Sequence, residues 1–157
     1  MPPAEVASRL ARELPPEATS GHTISLLYGV LALDTGEFRF VSAGHPGPVH
    51  LAAGKPPAKL EVTGFPLGVG GGAYKEQAVP LKPGDRLVLY SDGLLGVRNA
   101  EGEHFGGRRL LAALEDGRRL PLADALSGLV RAVEGWRGDV PRQDDVSVLL
   151  VERGEEP

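Results

Sequence analysis

The sequence predicts an α+β fold with mainly antiparallel sheets. Runs rich in β-branched and apolar residues cluster between Thr23 and Tyr90, and segments with helical periodicity cluster after them, between Arg108 and Trp136. Gly 22 and Pro 14 together make about 23% of the 157 residues, which supplies the tight turns that antiparallel neighbours need.

At the start, Val6, Leu10 and Leu14 recur at helical spacing, and Pro15-Pro16 ends the run. Thr23 to Leu33 reads as a strand. Asp34-Thr35-Gly36 is a turn signal, and Glu37 to Val41 alternates polar with apolar, so the two runs form a hairpin. Ala43 to Pro48 is a loop. Val49 to Ala52 is a short strand, Gly54 to Pro57 a turn, and Leu60 to Val62 is again extended. Gly64 to Gly72 is glycine-dense, but Ala73-Tyr74 follow it where a phosphate-cradling loop needs Lys-Ser or Lys-Thr, so it is a turn-forming loop.

Tyr74 to Leu81 alternates like a strand. Arg86-Leu87-Val88-Leu89-Tyr90 is almost continuously apolar, which predicts a central position in its sheet. Ser91-Asp92-Gly93 ends it as a turn. Arg108 to Leu114 and Leu122 to Trp136 are helices, Gly138 to Gln143 is a polar loop, and Val146 to Val151 is the last strand. The charged tail from Glu152 to Pro157 is expected to fray.

The chain has the length of one domain, and 41% hydrophobic residues suffice for a core without staples; it has no cysteine. A net charge of −4 offers no basic stripe to nucleic acid. No apolar run reaches the ~20 residues a membrane span needs, and the start lacks the basic and apolar regions of a signal peptide. These features predict a cytoplasmic protein that binds neither nucleic acid nor membrane. His22, His45, His50 and His104 lack zinc-site spacing, and no GxSxG elbow is present.

Two acidic positions carry the chemistry. Asp92 follows an apolar strand, and Asp144-Asp145 precede another. Carboxylates beside buried strand ends need hydrogen bonds or a cation, and hard divalent ions take such oxygens. If the two strands are neighbours, Asp92 and Asp144 face one ion. The same residues also read as ordinary turn formers.

In order along the chain stand Asp34-Thr35-Gly36, Ala43-Gly44-His45-Pro46, Gly64-Phe65-Pro66-Leu67-Gly68-Val69, Leu81 to Gly93 (LKPGDRLVLYSDG), Asn99 to Gly106, and Asp144-Asp145-Val146-Ser147-Val148. This series resembles the SpoIIE/RsbU-like branch of the PPM (PP2C-type) metal-dependent protein phosphatases, from about Pro3 to Val151. The resemblance implies an αββα sandwich of two mainly antiparallel sheets flanked by helices. It implies one phosphatase domain over 1–157, shortened at its N-terminus relative to the family.

It further implies a two-metal Mn²⁺ or Mg²⁺ centre at which activated water hydrolyses phosphoserine or phosphothreonine. Asp92 and Asp144 match metal ligands. Asp145 and Gly93 are expected beside the ligands rather than among them, and His45 at the rim of the active site. The implied substrate is a phosphorylated STAS-type anti-anti-sigma protein in bacterial partner switching, within sigma-factor and stress-response regulation. Two upstream aspartate motifs of the family do not occur in this sequence, and Gly96 stands where the family usually has Glu. The metal shell is therefore expected to hold one ion or none. The alternative is a non-catalytic pseudophosphatase that acts as a binding module. Exposed sheet edges also invite pairing with a second copy.

Overall fold

The computed structural model describes residues 1–70 and 73–154. Gly71 and Gly72 of the glycine-dense loop, and 155–157 of the charged tail, lie outside the described residues. Along the chain run α1 (Pro3–Glu13), β1 (Leu26–Leu31), β2 (Glu37–Ala43), β3 (Val49–Leu51), β4 (Ala58–Lys59), β5 (Gln77–Pro80) and β6 (Arg86–Tyr90). Then follow α2 (Asp92–Gly96), α3 (Gly106–Asp116), α4 (Leu122–Arg137) and β7 (Val148–Glu152). The fold is α+β with two antiparallel sheets, as the clustering of strands before helices predicts.

The chain divides into two compact units. The first comprises 1–47 and 60–82, and holds α1 and the sheet β1-β2-β5. The hairpin forms as the turn signal requires, with Leu31 opposite Phe38 and Leu26 opposite Ala43. Alternation on β2 then sorts its side chains. Val41 and Ala43 join Ala7, Leu67 and Tyr74 in a buried cluster against which Leu10 and Leu14 of α1 pack. Phe38 and Phe40 stack on each other with ring centroids 5.2 Å apart.

The second unit comprises 48–59 and 83–157, with sheet order β4-β3-β6-β7. β6 is central, flanked by β3 and β7, and buried along most of its length. Its core unites Val49, Val88 and Tyr90 from the sheet with Leu110 and Leu114 of α3 and Leu129 and Val133 of α4.

Three expectations are corrected. The extended segment after Gly54 is Ala58–Lys59, paired with His50 and Val49, not Leu60 to Val62. The next pair in that register would set Leu60 opposite Pro48, which has no N–H to donate, and the Leu60 carbonyl lies against Gly47. The turn reading of Ser91-Asp92-Gly93 missed α2, a five-residue helix with two glycines that is anchored by fully buried Leu94. The tail stays ordered past Glu152, which pairs with Arg86, and the Arg153 amide donates to the Asp85 carbonyl at 3.0 Å.

Buried polar groups tie the second unit together. Asp85 accepts from the Ala53 amide (2.9 Å) and lies 2.9 Å from His50 Nε2. Arg86 donates to the Gly117 and Leu120 carbonyls at the α3–α4 turn and pairs with Glu152. Both residues are nearly inaccessible to solvent. Here the Pro83-Gly84-Asp85-Arg86 segment serves the fold: its charges fill the hydrogen-bonding needs of buried backbone.

Candidate functional site

The antiparallel pairing of β6 with β7 sets Tyr90 opposite Val148. The chain leaving β6 therefore meets the chain entering β7. The Ser91 amide donates to the Ser147 carbonyl at 3.0 Å, and the Ser147 amide donates to Ser91 Oγ at 3.0 Å. Ser91 Oγ in turn donates to the Asp145 carbonyl at 3.2 Å. Ser91 is the residue before α2, yet its hydroxyl bridges to the other strand instead of capping the helix.

Gly93 makes the junction tight. A Cβ there would lie 2.2 Å from the Asp145 carbonyl oxygen and 3.4 Å from Asp144 Cβ. Only glycine allows the two backbones to approach this closely. The two strands are neighbours, which is the condition for the two acids to meet, and Asp92 and Asp144 line one cleft of about 310 Å³.

Each of these carboxylates has one oxygen occupied locally. Asp92 Oδ1 accepts from the Gly93 amide at 3.1 Å, and Asp144 Oδ1 accepts from the Asp145 amide at 2.8 Å. Asp145 sits beside the pair, its carbonyl spent on Ser91. His45 belongs to the first unit, in the loop after β2. Its carbonyl accepts from Ser42 Oγ at 2.7 Å, and its Nδ1 lies 3.0 Å from the Pro46 carbonyl oxygen.

The cleft also holds cations that the sequence reading passed over: Arg98, Arg137 and Arg142, with His104. Glu134 organises two of them. Its carboxylate accepts from Arg137 Nε (3.0 Å) and Nη2 (2.7 Å) and from Arg142 Nη2 (2.5 Å). These bonds hold its pKa below the usual carboxylate value. Arg98 stands on a narrow bend where it bridges to His104. The Phe105 amide closes that bend onto the Val97 carbonyl at 2.7 Å. Trp136 Nε1 donates to the Glu103 carbonyl, and Arg109 stacks 3.5 Å over the Trp136 ring. The only sequence signal for the arginines was Arg142, two residues before Asp144 in a loop read simply as polar.

A family profile described as Stage II sporulation protein E (SpoIIE) matches residues 1–154. The chain belongs to the SpoIIE family. In sequence it is also similar to RsbU. Phosphoserine phosphatase RsbU of Bacillus subtilis is 30% identical over 102 residues, covering 64% of this chain and 30% of RsbU.

The SiaA-PP2C domain of Pseudomonas aeruginosa superposes with a TM-score of 0.84 at 22% identity, covering 96% of this chain and 61% of that one. The phosphatase domain of the cell fate determinant SpoIIE from Bacillus subtilis, Mn presoaked, gives 0.67 at 16%, covering 85% and 58%. The SpoIIE-family chain thus has a PP2C-like fold and spans under two thirds of each of these relatives. Among the described residues no helix is long and apolar enough to cross a membrane.

The donor set decides what metal the cleft fits. Asp92 and Asp144 offer hard carboxylate oxygens, and the second oxygen of each has no hydrogen-bond partner among the described residues. That suits one Mn²⁺ or Mg²⁺ that keeps most of its waters. Among the described residues no three His, Cys, Asp or Glu group to hold a metal, so the set does not fit a two-metal clamp. Gly96 lines the same cleft, and a Cβ there would meet nothing within 4 Å.

Proposed function

We propose that this chain is the greater part of a single PPM-type domain that hydrolyses phosphoserine or phosphothreonine on a protein. The observation that carries this is the shared cleft of Asp92 and Asp144 at the β6–β7 junction. Asp92 and Asp144 would hold one Mn²⁺ or Mg²⁺, which when bound acidifies a coordinated water and offsets charge on the phosphate.

The chain's own residues do the rest. Gly93 and Ser91 fix the spacing of the two carboxylates, and Asp145 supports the junction through its carbonyl. The guanidiniums offset substrate charge in the same cleft. A role for His45 at the rim follows from the family resemblance. So does the substrate, a phosphorylated STAS-type regulator in bacterial partner switching, and with it a cytoplasmic location. The name of RsbU, a phosphoserine phosphatase, supports the phosphoserine class.

Binding of the cation is testable without turnover. At Mn²⁺ about a hundredfold above its Kd, mass action adds ~2.7 kcal/mol, a rise in melting temperature of roughly 5–10 °C. Wild type should show this rise and Asp92→Asn should lose it. An equal shift in both proteins, or none in wild type, would remove Asp92 as a ligand.

The second reading is a pseudophosphatase that binds a regulator without turnover. The two-carboxylate donor set favours it, since no third ligand joins Asp92 and Asp144 among the described residues.

A further inference from the structure

The three arginines of the cleft are not equivalent. Arg137 spends Nε and Nη2 on Glu134 and Nη1 on the Val140 carbonyl at 2.5 Å, so it acts as a brace. Arg142 is engaged only through Nη2, held by Glu134. Its Nε and Nη1 have no partner among the described residues. Arg98 has no hydrogen bond or ion pair among the described residues, although its backbone is fixed by the bridge to His104 and the Val97–Phe105 closure. Two guanidiniums thus keep donors in hand on ordered backbone, in a cleft of about 310 Å³ that they share with the carboxylates.

Charge points the same way. Three guanidiniums line the cleft beside the two carboxylates of Asp92 and Asp144, so the lining carries a formal excess of one positive charge before any cation enters. A phosphomonoester carries about −1.5 to −2 at neutral pH, which one divalent ion would neutralise. Without guanidinium donors, its oxygens would face two carboxylates. Arginine is the side chain that answers this geometry, with paired N–H donors matched to phosphate oxygens.

We infer that Arg98 and Arg142 are the phosphate-binding residues of this cleft. They grip the phosphoryl group of a phosphorylated peptide, with Glu134 setting the pose of Arg142. The assignment rests on reading the cleft as the reaction site. It predicts that recognition of the phosphate does not need the metal.

The test is fluorescence anisotropy of the chain with a labelled dodecapeptide carrying one central phosphoserine, in EDTA so that no turnover occurs. Arg98→Ala and Arg142→Ala should each weaken binding about tenfold, and Arg142→Lys should recover only part of the loss. The unphosphorylated peptide should bind at least about tenfold more weakly, and inorganic phosphate should compete. Both arginines are exposed, so their variants should melt with wild type; if an alanine variant does not fold, Arg98→Lys and Arg142→Lys carry the comparison.

Binding within about twofold of wild type in both arginine variants would overturn the assignment, as would equal affinity for the unphosphorylated peptide. The two proposals fail separately. Arginine-dependent binding with no hydrolysis in Mn²⁺ keeps the phosphate site and removes the phosphatase reading. Hydrolysis whose KM ignores both arginines does the reverse.

Discussion

Gly93→Ala should lower the melting temperature by about 6–12 °C, from roughly 3 kcal/mol of overpacking. The new methyl would sit 2.2 Å from the Asp145 carbonyl oxygen. That oxygen is held by Ser91 Oγ, and Ser147, two residues on, is locked to Ser91 by two further hydrogen bonds through its amide and its carbonyl. The backbone cannot yield without breaking the junction. The change therefore reaches function as well as stability: forcing the strands apart separates Asp92 from Asp144. Thermal melting and Mn²⁺ titration of the same variant check both effects. Gly96→Ala serves as the control, because a Cβ there meets only open space; it should melt close to wild type.

The second large effect lies away from the cleft. Arg86→Ala should cost about 2–4 kcal/mol, because it strands buried acceptors instead of deleting a surface pair. The Gly117 and Leu120 carbonyls lose their donors, and Glu152 loses its partner. Arg86→Lys should recover little, since one ammonium cannot span the three acceptors that the guanidinium reaches. Urea melts of the three proteins check this. A loss under about 0.5 kcal/mol for Arg86→Ala would place the clamp among ordinary surface contacts.

Most of the fold is written in local pattern. The apolar run of β6 predicts a strand buried between neighbours, and it lies between β3 and β7. Val6, Leu10 and Leu14 predict α1, and Asp34-Thr35-Gly36 predicts the β1–β2 hairpin. What local pattern misses is decided by contacts distant in sequence. α2 has the composition of a turn and exists because Leu94 is buried in the core formed with α3 and α4. β4 begins two residues earlier than the apolar run suggests, and its ladder stops where Pro48 would be the next partner.

The site divides along the same line. Asp92 and Asp144 stand out because carboxylates flank apolar strands, and the β6–β7 pairing unites them. Arg98 and Arg142 look like loop charges in sequence. Only the bend at Arg98–His104 and the Glu134 carboxylate, 8 residues from Arg142, bring them to the acids.

Asp92 and Asp144 are proposed to build one metal-dependent phosphatase site together. The most direct measurement is Mn²⁺-dependent hydrolysis of p-nitrophenyl phosphate by this chain, beside Asp92→Asn and Asp144→Asn. The predicted result is turnover that EDTA abolishes and that each substitution lowers by at least about a hundredfold. Wild-type rates no higher than those of the two variants would contradict it, and would leave the chain as a module that binds phosphoprotein without hydrolysing it.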